Sequence, residues 1–245
     1  MTETTPPAFT PPTIDEARER LSMPLVEAMR TQRAVRRLHT DPVDLDLIYE
    51  LLELSLKAPT SSNSQDWVYI VVTDQAQKER LGRLYVKWFP KLEPLYNRGA
   101  TDQELRAAKP GRWQAEHFDE LPVFVVPCYR SNLQHRAIGW PRISVTSYYG
   151  SVYPAVQNLL LACRAVGLGA SLQTLPVAVT PVAKRVLGLP RGLTPVCIVP
   201  IGWAKGKYGP TTRAPIEDVV HIDRYGNQPP RPSRPTGDTP RSDPR

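Results

Sequence analysis

Ala58-Pro59-Thr60-Ser61-Ser62-Asn63-Ser64-Gln65-Asp66-Trp67 joins a strongly helical segment to a strongly strand-like one. Four small hydroxyl residues, an Asn and a Gln follow Pro59, and no bulky apolar side chain appears until Trp67. Such a loop offers short polar side chains and many backbone N–H groups at close range. That suits a polar, planar or phosphorylated ligand better than it suits a core. The same composition also fits a serine-rich connecting loop, and local composition leaves both readings open.

The flanks are clearer. Upstream, Asp44 opens a helix to about Lys57, with Leu45, Ile48, Leu51, Leu52 and Leu56 recurring at a helical period, and Ala58-Pro59 stops it. Downstream, Trp67-Val68-Tyr69-Ile70-Val71-Val72 is β-branched and aromatic, and reads as a strand. Further upstream lies Gln32-Arg33-Ala34-Val35-Arg36-Arg37-Leu38. Arg33 and Arg36 are close enough to repel unless an anion or solvent screens them. A planar guanidinium suits two-point contact with phosphate or ring carbonyl oxygens. A solvated basic patch is the other reading of the residues alone.

The P-[ST]-x-x-N-x-Q-x-W loop after an amphipathic helix, with an arginine segment upstream, resembles the FMN-dependent nitroreductase family. Three later stretches resemble it too: Tyr153 to Ala162, Gly167-Leu168-Gly169-Ala170-Ser171, and Arg213-Ala214-Pro215-Ile216-Glu217-Asp218-Val219-Val220. Together they run in the family's order over residues 22–225. Three positions depart: Gln32 stands for an Arg, Ala34 for a Ser, and Asp66 for a Pro.

The resemblance implies an α+β nitroreductase-like sandwich. A central, mostly antiparallel sheet is surrounded by helices, in an intertwined homodimer with FMN at the interface. It implies an NAD(P)H oxidoreductase of ping-pong type, with NADH or NADPH as donor and a nitroaromatic, quinone or similar acceptor. The flavin N5 carries the chemistry, so no catalytic side chain is expected. A flavin-binding protein without turnover, or a specialised flavin dehydrogenase or dehalogenase, is the alternative. By the same resemblance Arg33 and Arg213 hold the phosphate, with Lys205 or Lys207. Arg36 lies at the ring edge where reduction places negative charge, and Ala34 belongs to the same segment. Thr60, Ser61, Asn63 and Gln65 hydrogen-bond the ribityl chain or ring edge. Backbone at Ser151 and Val152 faces N5, and Gln173, Thr174 and Leu175 line the opposite side.

Composition is ordinary for a soluble globular protein. The 245 residues are 41% hydrophobic and 22% charged, and the Pro/Arg-dotted end holds part of the +7 net charge. The basic residues are spread along the chain rather than gathered on one helix, which argues against a nucleic acid partner. No apolar run reaches the ~18 residues of a membrane span. The first residues lack a basic start and an apolar core, so no signal peptide and a cytoplasmic location are expected. Cys128, Cys163 and Cys197 form no CxxC pair and read as small buried hydrophobes. His39, His117, His135 and His221 show no triad or metal spacing. GxGxxG and Walker-type glycine loops are absent.

The remaining chain gives these expectations. Residues 1–12 and 226–245 are disordered tails around one domain, 13–225. Thr13 and Glu16 form a capping box. A helix after Pro24 carries Leu25, Val26 and Met29 inward and ends near Thr31. Helices run from Gln75 to Trp88, from Arg112 to Phe118, from Ser147 to Val166 and from Thr180, as N-cap, to Leu187. The stretch 89–112 is irregular. Strands cover Val123–Val126, ended by Pro127, then Ala170–Leu175 and Leu193–Ile201. Gly167 is a C-cap.

Overall fold

The computed structural model describes residues 9–99, 102–131 and 141–228. It divides into two compact units, Met1–Gly209 and Pro210–Arg245. Most of both expected tails lies outside the described residues. Phe9 stacks on the His39 ring at 3.7 Å.

The first unit is built on one antiparallel sheet. Strand β1 (Trp67–Val72) pairs with β2 (Val123–Arg130), and β2 pairs on its other side with β4 (Leu193–Pro195) and β5 (Val199–Trp203). Strand β3 (Leu168–Ala170) adds to β5. Side chains along β2 alternate between two cores, as a strand covered on both faces requires. Val123 and Val125 join one core with α1 (Ile14–Glu19), α3 (Leu45–Ser55) and α6 (Pro141–Val166). Phe124, Val126 and Cys128 join the other, with Leu81 and Tyr85 of α4 (Gln75–Asn97), Ala115 of α5 (Asp102–Glu116) and Ala183 of α7 (Thr180–Val186).

Local signals explain the ends of these elements. Thr13 and Glu16 form the expected capping box on α1. The Asp44 carboxylate accepts from the Asp46 N–H at 2.8 Å and starts α3. Gly167, at φ +89°, ends α6 in a conformation that side chains resist. All three cysteines are free and buried. Burial pushes each thiol up to about 12.

Several expectations need correction. The 89–112 stretch is not irregular: α4 continues to Asn97 and α5 covers Asp102–Glu116. Pro90 and Pro94 are exposed and four residues apart, so they share the outer side of α4, while Leu81 and Tyr85 hold its inner side in the core. A proline on a solvent face removes a hydrogen bond without opening the core. Pro127 does not end β2 but sits within it, opposite Tyr69, and its carbonyl accepts from the Val196 N–H at 2.9 Å. The expected strand at Leu193–Ile201 is two pieces, β4 and β5, on the same side of β2. The strand expected at Ala170–Leu175 lies earlier, at β3, and Leu175–Val177 is a 3-10 turn around Pro176. Val179, not Thr180, is the N-cap of α7, and the Thr180 hydroxyl donates back to the Val177 carbonyl.

Helix α2 (Leu25–Thr31) is reversed in facing. Leu25, Val26 and Met29 are 60%, 57% and 58% exposed, and Ala28 is the buried residue. Leu45 and Leu56 also lie outside the core. The second unit shows a 3-10 turn at Ile216–Asp218 and a turn closed by the Ile222 N–H on the Asn227 carbonyl. It leaves Ile216, Val219, Ile222 and Tyr225 exposed. Among the described residues no helix is long and apolar enough to cross a membrane.

Candidate functional site

The arginine segment runs extended along the open end of β3 and β5. The Val35 N–H donates to the Ala170 carbonyl at 3.0 Å, and the His39 N–H to the Trp203 carbonyl at 2.8 Å. The Lys205 N–H donates in return to the Arg37 carbonyl at 3.0 Å. Leu38 is fully buried and anchors the segment. The close fit needs Gly169: a Cβ there would stand 2.5 Å from Leu38 Cδ2 and 2.8 Å from Val35 Cγ1.

This pinning walls a cavity of about 270 Å³ between residues 33–37, Pro110 of α5 and the 204–208 loop. Arg33, Arg36, Arg37, Lys205 and Lys207 line it, and among the described residues no carboxylate does. Arg33 Nη2 donates to the Gly209 carbonyl at 2.9 Å. The loop is fixed from behind, where the Tyr208 hydroxyl donates to the Leu168 carbonyl at 2.6 Å and the Arg164 guanidinium lies 4.2 Å from the Tyr208 ring centre. Lys205 Nζ stands 5.7 Å from the Trp113 ring centre on α5. Burial lowers the His39 pKa, and the Lys205 charge lowers it further.

Below Arg36 lies a buried polar network. The Tyr85 hydroxyl donates to Gln173 Oε1 at 2.9 Å. Gln173 Nε2 donates to Gln114 Oε1 at 2.6 Å, and Gln114 Nε2 to Ser171 Oγ at 3.0 Å. Gln114 and Ser171 are fully buried. Burial pushes the Tyr85 phenol up to about 12, and the nearby Arg36 charge opposes that rise. Gln173 thus has both ends of its amide engaged inside, and its backbone exchanges two hydrogen bonds with Ile198. The Thr174 carbonyl accepts from the Val177 N–H, and Leu175 packs against the second core.

The Thr60–Gln65 loop is a separate construction. Ser62, Asn63 and Gln65 adopt φ of 51°, 52° and 49°, a region costly for residues other than glycine. The Thr60 hydroxyl accepts from the Gln65 N–H at 3.2 Å, and Asn63 Oδ1 accepts from Gln65 Nε2 at 3.2 Å. Ser151 Oγ accepts from the Ser61 N–H at 3.3 Å and donates to the Ser147 carbonyl at 2.9 Å, tying the loop to α6. Val152 is a core residue, 1% exposed. None of these residues lines the basic cavity. Arg213 lies in the second unit, where its guanidinium donates to the Thr212 carbonyl.

The structure therefore gathers Arg33, Ala34 and Arg36 with Lys205 and Lys207. It gathers Thr60, Ser61, Asn63 and Gln65 with Ser151, apart from the first group. Sequence reasoning missed the place of Arg37 on the cavity and the Tyr85–Gln114 network. The polar Gln114 in a helix of ordinary pattern gave no local sign of its burial.

The model of the nitroreductase family matches residues 29–203. The chain belongs to the nitroreductase family. A family member from Thermus thermophilus named "NADH dehydrogenase" is 30% identical over 213 residues, 81% of this chain and 97% of that protein. A family relative from Rhodospirillum rubrum named "5,6-dimethylbenzimidazole synthase" is 29% identical over 204 residues, 82% of this chain and 87% of that protein. Among solved structures, an iodotyrosine deiodinase bound to FMN and 3-iodo-L-tyrosine shares this nitroreductase fold with a TM-score of 0.60. It is 21% identical and covers 83% of this chain and 99% of that one.

Proposed function

We propose that this chain is a cytoplasmic, FMN-dependent NAD(P)H oxidoreductase that works as a homodimer. The observation that carries the reading is the cavity lined by Arg33, Arg36, Arg37, Lys205 and Lys207, with no carboxylate among the described residues that line it. Such a donor set fits a phosphomonoester, whose oxygens accept from planar guanidiniums. Arg33 and Lys205 would hold the phosphate. Arg36, half-buried above Tyr85, would hold a positive charge at the ring edge. Flavin supplies two-electron transfer between donor and acceptor, and the chain supplies binding, orientation and charge.

The Thr60–Gln65 loop supports a dimer. Its strained polar backbone reads as a binding element, yet it does not line the cavity of its own chain. Two copies side by side would bring one chain's loop to the other's cations. Leu25, Val26 and Met29, with Tyr49 and Tyr153, offer exposed apolar area for that contact. Gln173, with its amide engaged inside, would shape the site through Ser171 and Gln114 and its neighbours Thr174 and Leu175.

The first test is absorbance of the purified protein. A yellow spectrum with flavin bands, retained or restored by added FMN, is the expected result; a colourless protein that ignores FMN sinks the reading. Oxidation of NAD(P)H with menadione or a nitrofuran then separates an enzyme from a flavin-binding protein. The names of the relatives favour one second reading, a dehalogenase or biosynthetic flavin dehydrogenase of the same fold. Reductive release of iodide from iodotyrosine, faster than menadione turnover, would select it.

A further inference from the structure

The basic cavity holds more positive charge than one phosphate needs. Among the described residues five cations line it. A phosphomonoester carries about 1.5–2 negative charges near neutral pH. With Arg33 and Lys205 on the cofactor's phosphate and Arg36 at the ring edge, Arg37 and Lys207 remain without an anion. Among the described residues, neither Arg37 nor Lys207 has a side-chain hydrogen bond or ion pair, whereas Lys205 stands against Trp113. Like charges confined to one cavity repel, and nearby anions remove that cost.

The size of the cavity points the same way. About 270 Å³ stands at the small end of ligand pockets, which run to roughly 300–1,000 Å³. Its guanidinium and ammonium lining suits the charged groups of a ligand. Arg36 is half-buried and felt by Tyr85, while Arg37 is exposed. Arg36 thus serves the inside of the site, and Arg37 stands where a diffusing molecule meets it.

We infer that the cavity takes a second phosphomonoester, the one on the adenosine ribose that distinguishes NADPH from NADH, and that Arg37 with Lys207 selects the phosphorylated donor. The inference rests on the flavin reading above. NADP+ and NAD+ differ by that phosphate alone, so calorimetric titration of the FMN-loaded protein with each isolates it. NADP+ should bind about tenfold tighter or more, and the difference should shrink as salt is raised. Arg37→Ala should remove most of the difference, and Arg37→Lys should keep part of it, since lysine supplies the charge without the fork. Flavin content, read by absorbance in the same samples, monitors the site itself.

Equal affinity for NADP+ and NAD+ in a protein that holds FMN overturns this inference and leaves the flavin reading standing. So does a preference unchanged in both Arg37→Ala and Lys207→Ala. A protein that holds no FMN overturns both.

Discussion

Gly169 stands so close to Leu38 that a Cβ at this glycine would lie 2.5 Å from Leu38 Cδ2. The contact sets how near the arginine segment lies to the sheet. Gly169→Ala should therefore push residues 35–38 outward. We expect a loss of about 1–3 kcal/mol of stability, as for other overpacked sites, together with weaker FMN binding. Chemical denaturation and flavin fluorescence titration measure the two effects; an unchanged flavin affinity would detach the glycine from the site.

Tyr85→Phe removes the donor to Gln173 Oε1. The amide oxygen is then buried without a partner, at a cost of about 1–3 kcal/mol. Because Arg36 lies near the same phenol, the flavin reduction potential is a second readout. Unfolding curves that match the wild type would show that the network is not rigid.

The left-handed residues of the Thr60–Gln65 loop make opposite predictions for two substitutions. Ser62→Gly should hold or raise stability, by up to about 1 kcal/mol, because glycine accepts φ of 51° without strain. Ser62→Val should lower it by about 1–2 kcal/mol. Thermal melts of the two variants decide the matter, and equal melting temperatures would count against strain at this position.

Alkaline pH should weaken the fold. Burial raises Cys128, Cys163 and Cys197 from 9.0 to about 12, and Tyr85 from 10.0 to about 12. Folded values above unfolded ones mean that the stability is fully present below the unfolded pKa. It is lost as pH rises through the folded one. Urea midpoints of the reduced protein should thus fall steadily from pH 9 upward. A flat profile to pH 11, or about that, would contradict the buried thiols.

What the residues announce in advance is local chemistry. The Thr60–Gln65 loop and the Arg33–Arg37 segment stand out because their residue types are odd for a core and their flanks have clear periods. What they hide depends on distant partners. Periodicity places Leu25, Val26 and Met29 together, but not whether they face their own core or another surface. Prolines 90, 94 and 110 read as breaks, yet they sit in α4 and α5. A proline in a sheet is expected at its edge, yet Pro127 lies inside β2. Gln114 and Arg37 gain their roles from the fold that brings α5 and the 204–208 loop to the same place.

The most direct test of the account compares FMN with riboflavin, which lacks the phosphate, by fluorescence titration of the flavin-free protein and of Arg33→Ala. The account predicts that the wild type binds FMN about 30-fold to 1,000-fold tighter than riboflavin, and that Arg33→Ala loses much of this difference. Equal affinity for the two flavins in the wild type would contradict it.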